Sequence, residues 1–250
     1  MGETPQAYDI GIDRVAPSVR PSGPPRGYQR WLDLLFLHWP VPVQAMRALV
    51  PKDLELDLYD GHAWVGLVPF EMRGVRPRFA PKIAAFGFLE TNVRTYVRYR
   101  GEPGVYFLSL EAASWIGVKL GRWGWSLPYF HADMSSSVSN GTFDYASCRA
   151  DQSKAELKVS YRRLEPMGPS EPGSPEFYFL ERYLLFVSRS GRIQRGQVSH
   201  TPYPVHRAEL ISLEDTLVAA AGLEVSGPPA LVHASPGVDV EVFDLSTSPR

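Results

Sequence analysis

Glu90, Asn92, Arg94, Tyr96 and Arg98 occupy alternate positions of the run Leu89-Glu-Thr-Asn-Val-Arg-Thr-Tyr-Val-Arg-Tyr, opposite Leu89, Thr91, Val93, Thr95 and Val97. Side chains two apart share one face of a strand, so the run sets an acid, an amide, two guanidiniums and a phenol in one row. An acid can move protons, and an arginine can hold a carboxylate through two parallel bonds. Such alternation also makes the solvated face of an antiparallel sheet, its commonest meaning. A sheet closed on itself would instead aim the row at a ligand. The residues alone leave both readings open. The second stretch with chemical content is Gly121-Arg-Trp-Gly-Trp-Ser-Leu-Pro-Tyr-Phe-His-Ala-Asp-Met134, which joins a short helical run to a strand and is dense in aromatic residues.

Much chemistry is absent at the level of motif. The chain has no phosphate-binding loop, no strand-linked G-x-G-x-x-G, no G-x-S-x-G elbow and no H-E-x-x-H helix. Its six histidines, His38, His62, His131, His200, His206 and His233, have no recognised metal spacing, so each is expected in an ordinary hydrogen-bonded role and neither metal nor cofactor is expected. Cys148 stands alone, which excludes an internal disulfide and fits a reducing, cytoplasmic compartment. A formal net charge of -1 without a basic run argues against nucleic acid as a partner. No signal-peptide pattern opens the chain and no apolar stretch reaches membrane-spanning length, so no membrane partner is expected.

The elements that must position these residues are short. Residues 1–27 are rich in proline and glycine and read as a flexible arm, and residues 28–250 as one domain. Trp31–Leu37 reads as a buried strand ended by Pro40 and Pro42, Val43–Val50 as a helix stopped by Pro51, and Leu54–Tyr59 as a strand turning at Asp60-Gly61 into another. Strands are also expected at 105–111, 143–150, 156–164, 183–188, 193–199 and 238–243, with an extended stretch at 127–134 and a turn at Ser139-Asn-Gly141. Helices are expected at 112–120, after the capping Ser174-Pro175, and most clearly at Ser212–Gly222. The sum is a mainly β (α+β) protein, an antiparallel barrel or a pair of packed sheets with three or four short helices.

Several segments together resemble the YqjF-like bacterial family of unknown function. They are Arg47-Ala-Leu-Val-Pro-Lys-Asp-Leu-Glu-Leu-Asp, Asp60-Gly-His-Ala-Trp-Val-Gly-Leu-Val-Pro-Phe, Glu90-Thr-Asn-Val-Arg-Thr-Tyr-Val, Gly104-Val-Tyr-Phe-Leu-Ser-Leu-Glu-Ala, Leu127-Pro-Tyr-Phe and Glu181-Arg-Tyr. That family is similar in turn to acetoacetate decarboxylase, through Met46–Glu55, Gly121-Arg122 and Leu127-Pro128. The resemblance implies a β-rich cone with an internal active site and places Glu90 at an active-site carboxylate. It also implies two adjacent lysines after Pro128, the first forming a Schiff base, where this chain has Tyr129 and Phe130. Neither can form an imine, and a phenol supplies no second cation to lower an amine's pKa. Lys119, the nearest lysine, reads as a solvated or salt-bridged helix residue. Arg30 is spaced differently from Pro51 than the decarboxylase's substrate-binding arginine, and no role is assigned to it.

The resemblance thus favours the inward reading of the polar row. The leading expectation is a pocket for a small organic ligand, a keto acid or an aromatic molecule. Glu90, Asn92, Arg94 and Tyr129 are its anchors, Tyr96, Arg122 and Phe130 complete the ligand-binding set, and Arg94 either pairs with Glu90 or holds a ligand carboxylate. The alternative is a lyase, hydratase or isomerase with Glu90 as acid/base and Tyr129 stabilising an oxyanion. A third is a structural or homo-oligomeric protein with a vestigial pocket.

Overall fold

The computed structural model describes Asp9 and residues 11–115, 117–119 and 125–247. Its strands are β1 (Gly27–Val41), β2 (Glu55–Leu56), β3 (Ala63–Pro77), β4 (Phe86–Tyr99), β5 (Glu102–Ala112), β6 (Tyr129–Ser139), β7 (Thr142–Arg149), β8 (Glu156–Gly168), β9 (Leu184–Arg189), β10 (Arg192–Ser199), β11 (Val205–Asp215), β12 (Leu231–Val242) and β13 (Ser246–Thr247). Helices α1 (Val43–Leu49), α2 (Pro175–Leu180) and α3 (Leu217–Ala220) are short, and residues 117–119 are also helical. The protein is mainly β, as expected.

Neighbour by neighbour, β4-β5-β6-β7-β8-β11-β12-β1-β3 returns to β4 and makes a ring of strands. A second circuit leaves β5 through its bridge from Val105 to Leu185 of β9 and returns through β10, which pairs with β12 at Val198 and Ser199. Strands β12, β1, β3, β4 and β5 form a wall common to both circuits. The contacts of β5 with β6 and β9 are parallel and the other pairings antiparallel.

A wall between two compartments is covered on both faces. Val93 and Val97 of β4 join a core with Leu35, Leu37, Leu67, Leu157 and Val159, while Tyr96 joins another with Phe36, Val68, Phe70 and Phe179. Phe36 and Phe179 are fully buried, each stabilising the fold by roughly 1.5–3 kcal/mol. Every residue from Glu90 to Val97 is buried, so the alternation in β4 does not mark a solvated face.

Local signals hold where turn chemistry dictates them. Asp60-Gly61 and Asn140-Gly141 adopt the positive φ pairs (50° and 71°; 51° and 77°) that two-residue hairpins need. Ser174 Oγ accepts the Phe177 amide at 3.1 Å and starts α2. Other expectations fail where long-range pairing wins. Ser212–Asp215 is not helical: Ser212 to Asp215 pair with Ser160 to Leu157 of β8. The helix begins only after Asp215, whose carboxylate accepts the amides of Leu217 (2.9 Å) and Val218 (3.3 Å). The 54–59 strand shrinks to Glu55–Leu56, and β1 runs on through Pro40.

The segment before β1 makes specific contacts. Arg14 is buried and holds Asp57 through both terminal nitrogens at 2.6 and 2.8 Å, while Gln197 Nε2 donates to the Pro17 and Val19 carbonyls.

Candidate functional site

The β3–β4 ladder runs without a break from Val65 opposite Thr95 to Met72 opposite Phe88, which keeps the polar row of β4 in phase. Glu90 lies beside Phe70, Asn92 beside Val68 and Arg94 beside Gly66. Glu90, Asn92, Arg94 and Tyr96 are only 3%, 5%, 8% and 1% exposed, so four polar side chains face one compartment. Arg98, next in the row, lies at the rim and pairs with Asp9 and Glu55.

Strand β6 brings Tyr129 to this row. The Leu110 amide donates to the Pro128 carbonyl at 3.0 Å and sets Tyr129 opposite Leu110, which is itself opposite Asn92. Tyr129 Oη donates to Glu90 Oε2 at 2.8 Å. Burial raises the Glu90 carboxyl to about 8, the Tyr129 bond opposing and the charge of Glu111 adding to the shift. Glu90 is therefore mostly protonated at neutral pH. Burial, with the Glu90 charge and bond adding, pushes the Tyr129 phenol well above its usual value. Tyr145 Oη fixes the strand here by donating to the Glu90 carbonyl at 2.8 Å while accepting from Thr91 Oγ1 at 3.1 Å.

Adjacent residues point to the other face. Glu111 lies opposite both Thr91 and Phe130, and its Oε1 accepts Arg149 Nε and Nη2 at 2.9 and 2.6 Å. The Arg149 guanidinium stacks 3.9 Å from the Phe130 ring centroid, so Phe130 supports a buried ion pair behind the polar row.

Further along the row, Arg94 Nη2 and Tyr96 Oη both donate to the Phe179 carbonyl, at 3.0 and 3.1 Å. Because the Tyr96 proton is committed, its oxygen accepts from His38 Nε2 at 2.6 Å, which leaves His38 Nδ1 as a bare acceptor. Burial, then the nearby Arg94 charge, holds His38 well below its usual pKa and keeps it neutral. Gly66 makes room: a Cβ there meets the His38 ring and Tyr96 Oη at 3.2 Å. Asp57 is taken by Arg14 and Arg182, the latter at 2.9 Å. Among the described residues Arg94 has no carboxylate partner, so the expected Arg94–Glu90 pair is not formed. Buried Arg94 Nε, Asn92 Oδ1 and His38 Nδ1 also lack hydrogen-bond partners among the described residues.

A cavity of about 300 Å³ lies elsewhere. Its walls include Tyr106, Leu108, Leu127, Pro128, Phe186 and Ser188, but not Glu90, Asn92, Arg94, Tyr96 or Tyr129. The site row and this cavity are thus separate, and Tyr129 follows directly on the cavity's Pro128. Arg122 lies outside the described residues. Arg30 is on the surface, paired with Asp239 at 2.6 Å. No cluster of three or more potential metal ligands occurs among the described residues, and none of their helices is long and apolar enough to cross a membrane.

Residues 28–239 match the model of DUF2071, described as an uncharacterized conserved protein. The chain belongs to this family. It is 38% identical over 218 residues to the uncharacterized protein YqjF of Bacillus subtilis (strain 168), an alignment covering 87% of this chain and 90% of YqjF. Among solved structures it is similar to acetoacetate decarboxylase from Legionella pneumophila, with TM-score 0.59, 15% identity and coverage of 95% and 97% of the two chains. It is also similar to the enduracididine biosynthesis enzyme MppR complexed with pyruvate, with TM-score 0.58, 13% identity and 90% of each chain covered. At such identities the two structures establish the shared acetoacetate decarboxylase-like fold.

Glu90 and Tyr129, both singled out in the sequence, stand in contact, whereas His38, Glu111 and Arg149 carry no site signal there. Glu111 was legible as the residue facing Thr91 once the β4–β5 hairpin was in register. Arg149, at the end of β7, has the pattern of a solvated strand terminus.

Proposed function

We propose that this chain binds a small organic acid bearing a carbonyl group, in the compartment faced by Glu90, Asn92, Arg94 and Tyr129, and that it does so without forming an imine. The observation that carries this reading is Arg94, a buried guanidinium that donates to a backbone carbonyl and lies over the Phe36 and Tyr96 rings but has no carboxylate partner among the described residues. Buried charges are ordinarily paired, and a ligand carboxylate supplies the missing partner. The unpartnered Asn92 Oδ1 and His38 Nδ1 accept donors from the same ligand or from water held with it. Pyruvate, with which MppR is complexed, is a ligand of this class. Imine chemistry is disfavoured because Lys52, Lys82, Lys119, Lys154 and Lys158, all the lysines of the chain, are exposed, and Tyr129-Phe130 follow Pro128.

A catalytic version of the same site is favoured by the Glu90–Tyr129 contact. A carboxyl protonated at neutral pH and bonded to a phenol is equipped to give a proton to a ligand carbonyl and take one back. That supports a lyase, hydratase or isomerase acting on the bound acid.

Calorimetric titration with pyruvate, acetoacetate and phenylpyruvate, each beside its uncharged methyl ester, tests the reading. Saturable binding of at least one acid, weakened at least about tenfold by Arg94→Lys and by its own esterification, is expected. Absence of saturable binding for all three acids, or equal affinity for acid and ester, overturns it. Borohydride treatment with acetoacetate is expected to leave the protein mass unchanged, and an adduct on any lysine contradicts the imine-free reading.

A further inference from the structure

The cavity of about 300 Å³ sits at a fork in the sheet. On the edge of β5 that faces β6 and β9, Val105 bridges to Leu185 and Leu110–Ala112 pair with Tyr129–His131, but Tyr106 to Ser109 meet no strand among the described residues. On its other edge, β5 is bulged at the same place. Val93 faces Ser109 and Arg94 faces Phe107, which leaves Leu108 as the extra residue. A split ladder and a bulge together open a gap in the wall, and the ends of α1 and α3, through Leu49 and Ala221, close it from above. Ser126, also in the lining, is held at φ 54°, a left-handed conformation that costs a residue with a side chain about 1 kcal/mol or more.

The lining has a consistent chemistry. Tyr106 and Phe186 supply rings, Leu108, Leu127 and Pro128 aliphatic surface, and Ser126 and Ser188 hydroxyls, while Phe107, also at the wall, packs with the core of Tyr96 on the far side of β5. Among the described residues no charged side chain lines the cavity. A carboxylate or ammonium moved here loses hydration and gains no counter-ion, whereas a neutral ring gains apolar contact and finds hydroxyls to bond. The volume lies at the lower end for small-molecule sites and suits a body of about nine to twelve non-hydrogen atoms.

We infer that the fork between β5, β6 and β9 is a binding site for an uncharged aromatic molecule carrying a hydrogen-bonding group. It is distinct from the organic-acid site, since Tyr106, Leu108 and Leu49 pack on the core of Val93 and Val97, across the wall from Tyr96. The two sites nevertheless share a frame. Pro128 lines the fork and its carbonyl sets the register that places Tyr129, and the Leu108 bulge follows Phe107, which faces Arg94 across the β4–β5 ladder.

Calorimetric titration of the full chain with indole, and with benzoate as its charged counterpart, provides the test. Indole is expected to bind saturably, with Ser188→Trp and Ala221→Phe, which fill the fork from two sides, each weakening it at least about tenfold while circular dichroism stays native. Benzoate is expected to bind the fork at least about tenfold more weakly than indole. If Ala221→Phe does not fold, Ser188→Trp at the exposed end of β9 decides alone. No saturable indole binding by the wild type, undiminished binding in the folded blocking variants, or benzoate binding the fork as tightly as indole overturns the inference. Because Arg94→Lys leaves the fork lining intact, loss of organic-acid binding in that variant with indole binding retained separates this inference from the proposed function.

Discussion

Replacing Glu90 by glutamine is expected to change how stability depends on pH more than stability itself at low pH. The carboxyl has an ordinary value of 4.5 and is raised to about 8 in the fold. Between these values the folded chain holds a proton that the unfolded chain releases, so stability is fully present below 4.5 and falls as pH rises toward 8, by at most about 1.4 kcal/mol per pH unit. Integrated from pH 5 to pH 8, the loss attributable to Glu90 is about 3 to 4 kcal/mol. Glutamine keeps the shape and still accepts from Tyr129 Oη, but it cannot ionise. Urea unfolding of wild type and Glu90→Gln at pH 5, 6, 7 and 8 yields a difference curve in which other shifted groups, such as Glu181 and Asp215, largely cancel because both proteins carry them. The variant is expected to gain on the wild type by about 3 to 4 kcal/mol across that range. Parallel curves for the two proteins would mean that Glu90 is ionised in the fold, and the acid/base assignment would fall with that result.

Three further outcomes follow from other contacts. Tyr129→Phe removes a bond that favours ionised Glu90, so the pH at which the wild-type stability loss ends is expected to move upward, at a cost of about 1 kcal/mol near neutrality; an unmoved profile in the same urea series counts against the 2.8 Å contact. Arg14→Ala strips one of the two hydrogen-bonded guanidiniums from buried Asp57, leaving Arg182 and the more distant Arg98, and is expected to destabilise by about 2 to 3 kcal/mol in thermal or urea unfolding, while an effect below about 0.5 kcal/mol would mean that the segment before β1 is not held there. Gly104→Ala places a Cβ 2.7 Å from the Leu184 carbonyl and the Phe186 ring, and unfolding experiments should find about 1 to 3 kcal/mol lost as β9 is pushed from β5.

What was legible in the sequence follows the range of the forces involved. Asp60-Gly61, Asn140-Gly141 and Ser174-Pro175 declared their turns and cap because a positive φ or an orphan amide is a local demand. Ser212–Asp215 misled for the converse reason. Its serine, acidic pair and later glycine are good helix signals, but the β8 ladder and the packing of Leu213 outweigh a few tenths of a kcal/mol per residue of propensity. The candidate site divides in the same way. Spacing put Glu90, Asn92, Arg94 and Tyr96 on one face, because a strand's period is local. Whether that face met water or a core depended on β5, paired with β4 along its length, joining both β6 and β9 on its other edge, contacts that no short window of sequence contains.

That branching also explains how one strand serves two chemistries. In a sheet with one wet face, the residues between the polar positions of β4 would be plain core and their neighbours solvated. Here Thr91, facing Glu111, and Val93, in the apolar core, stand on one side, while Glu90, Asn92 and Arg94 stand on the other, buried away from bulk solvent. Each polar side chain on the second side therefore needs a partner from the protein or from a ligand. Glu90 finds Tyr129, and Tyr96 finds His38 and Phe179. Asn92 Oδ1 and Arg94 Nε, two residues apart on the strand between those satisfied ends, find none among the described residues. The unsatisfied pair is thus bracketed by a proton donor and a rigid aromatic cluster, and that order along β4 is the arrangement on which the proposed binding of a molecule with a carboxylate at one end and a carbonyl toward the other rests.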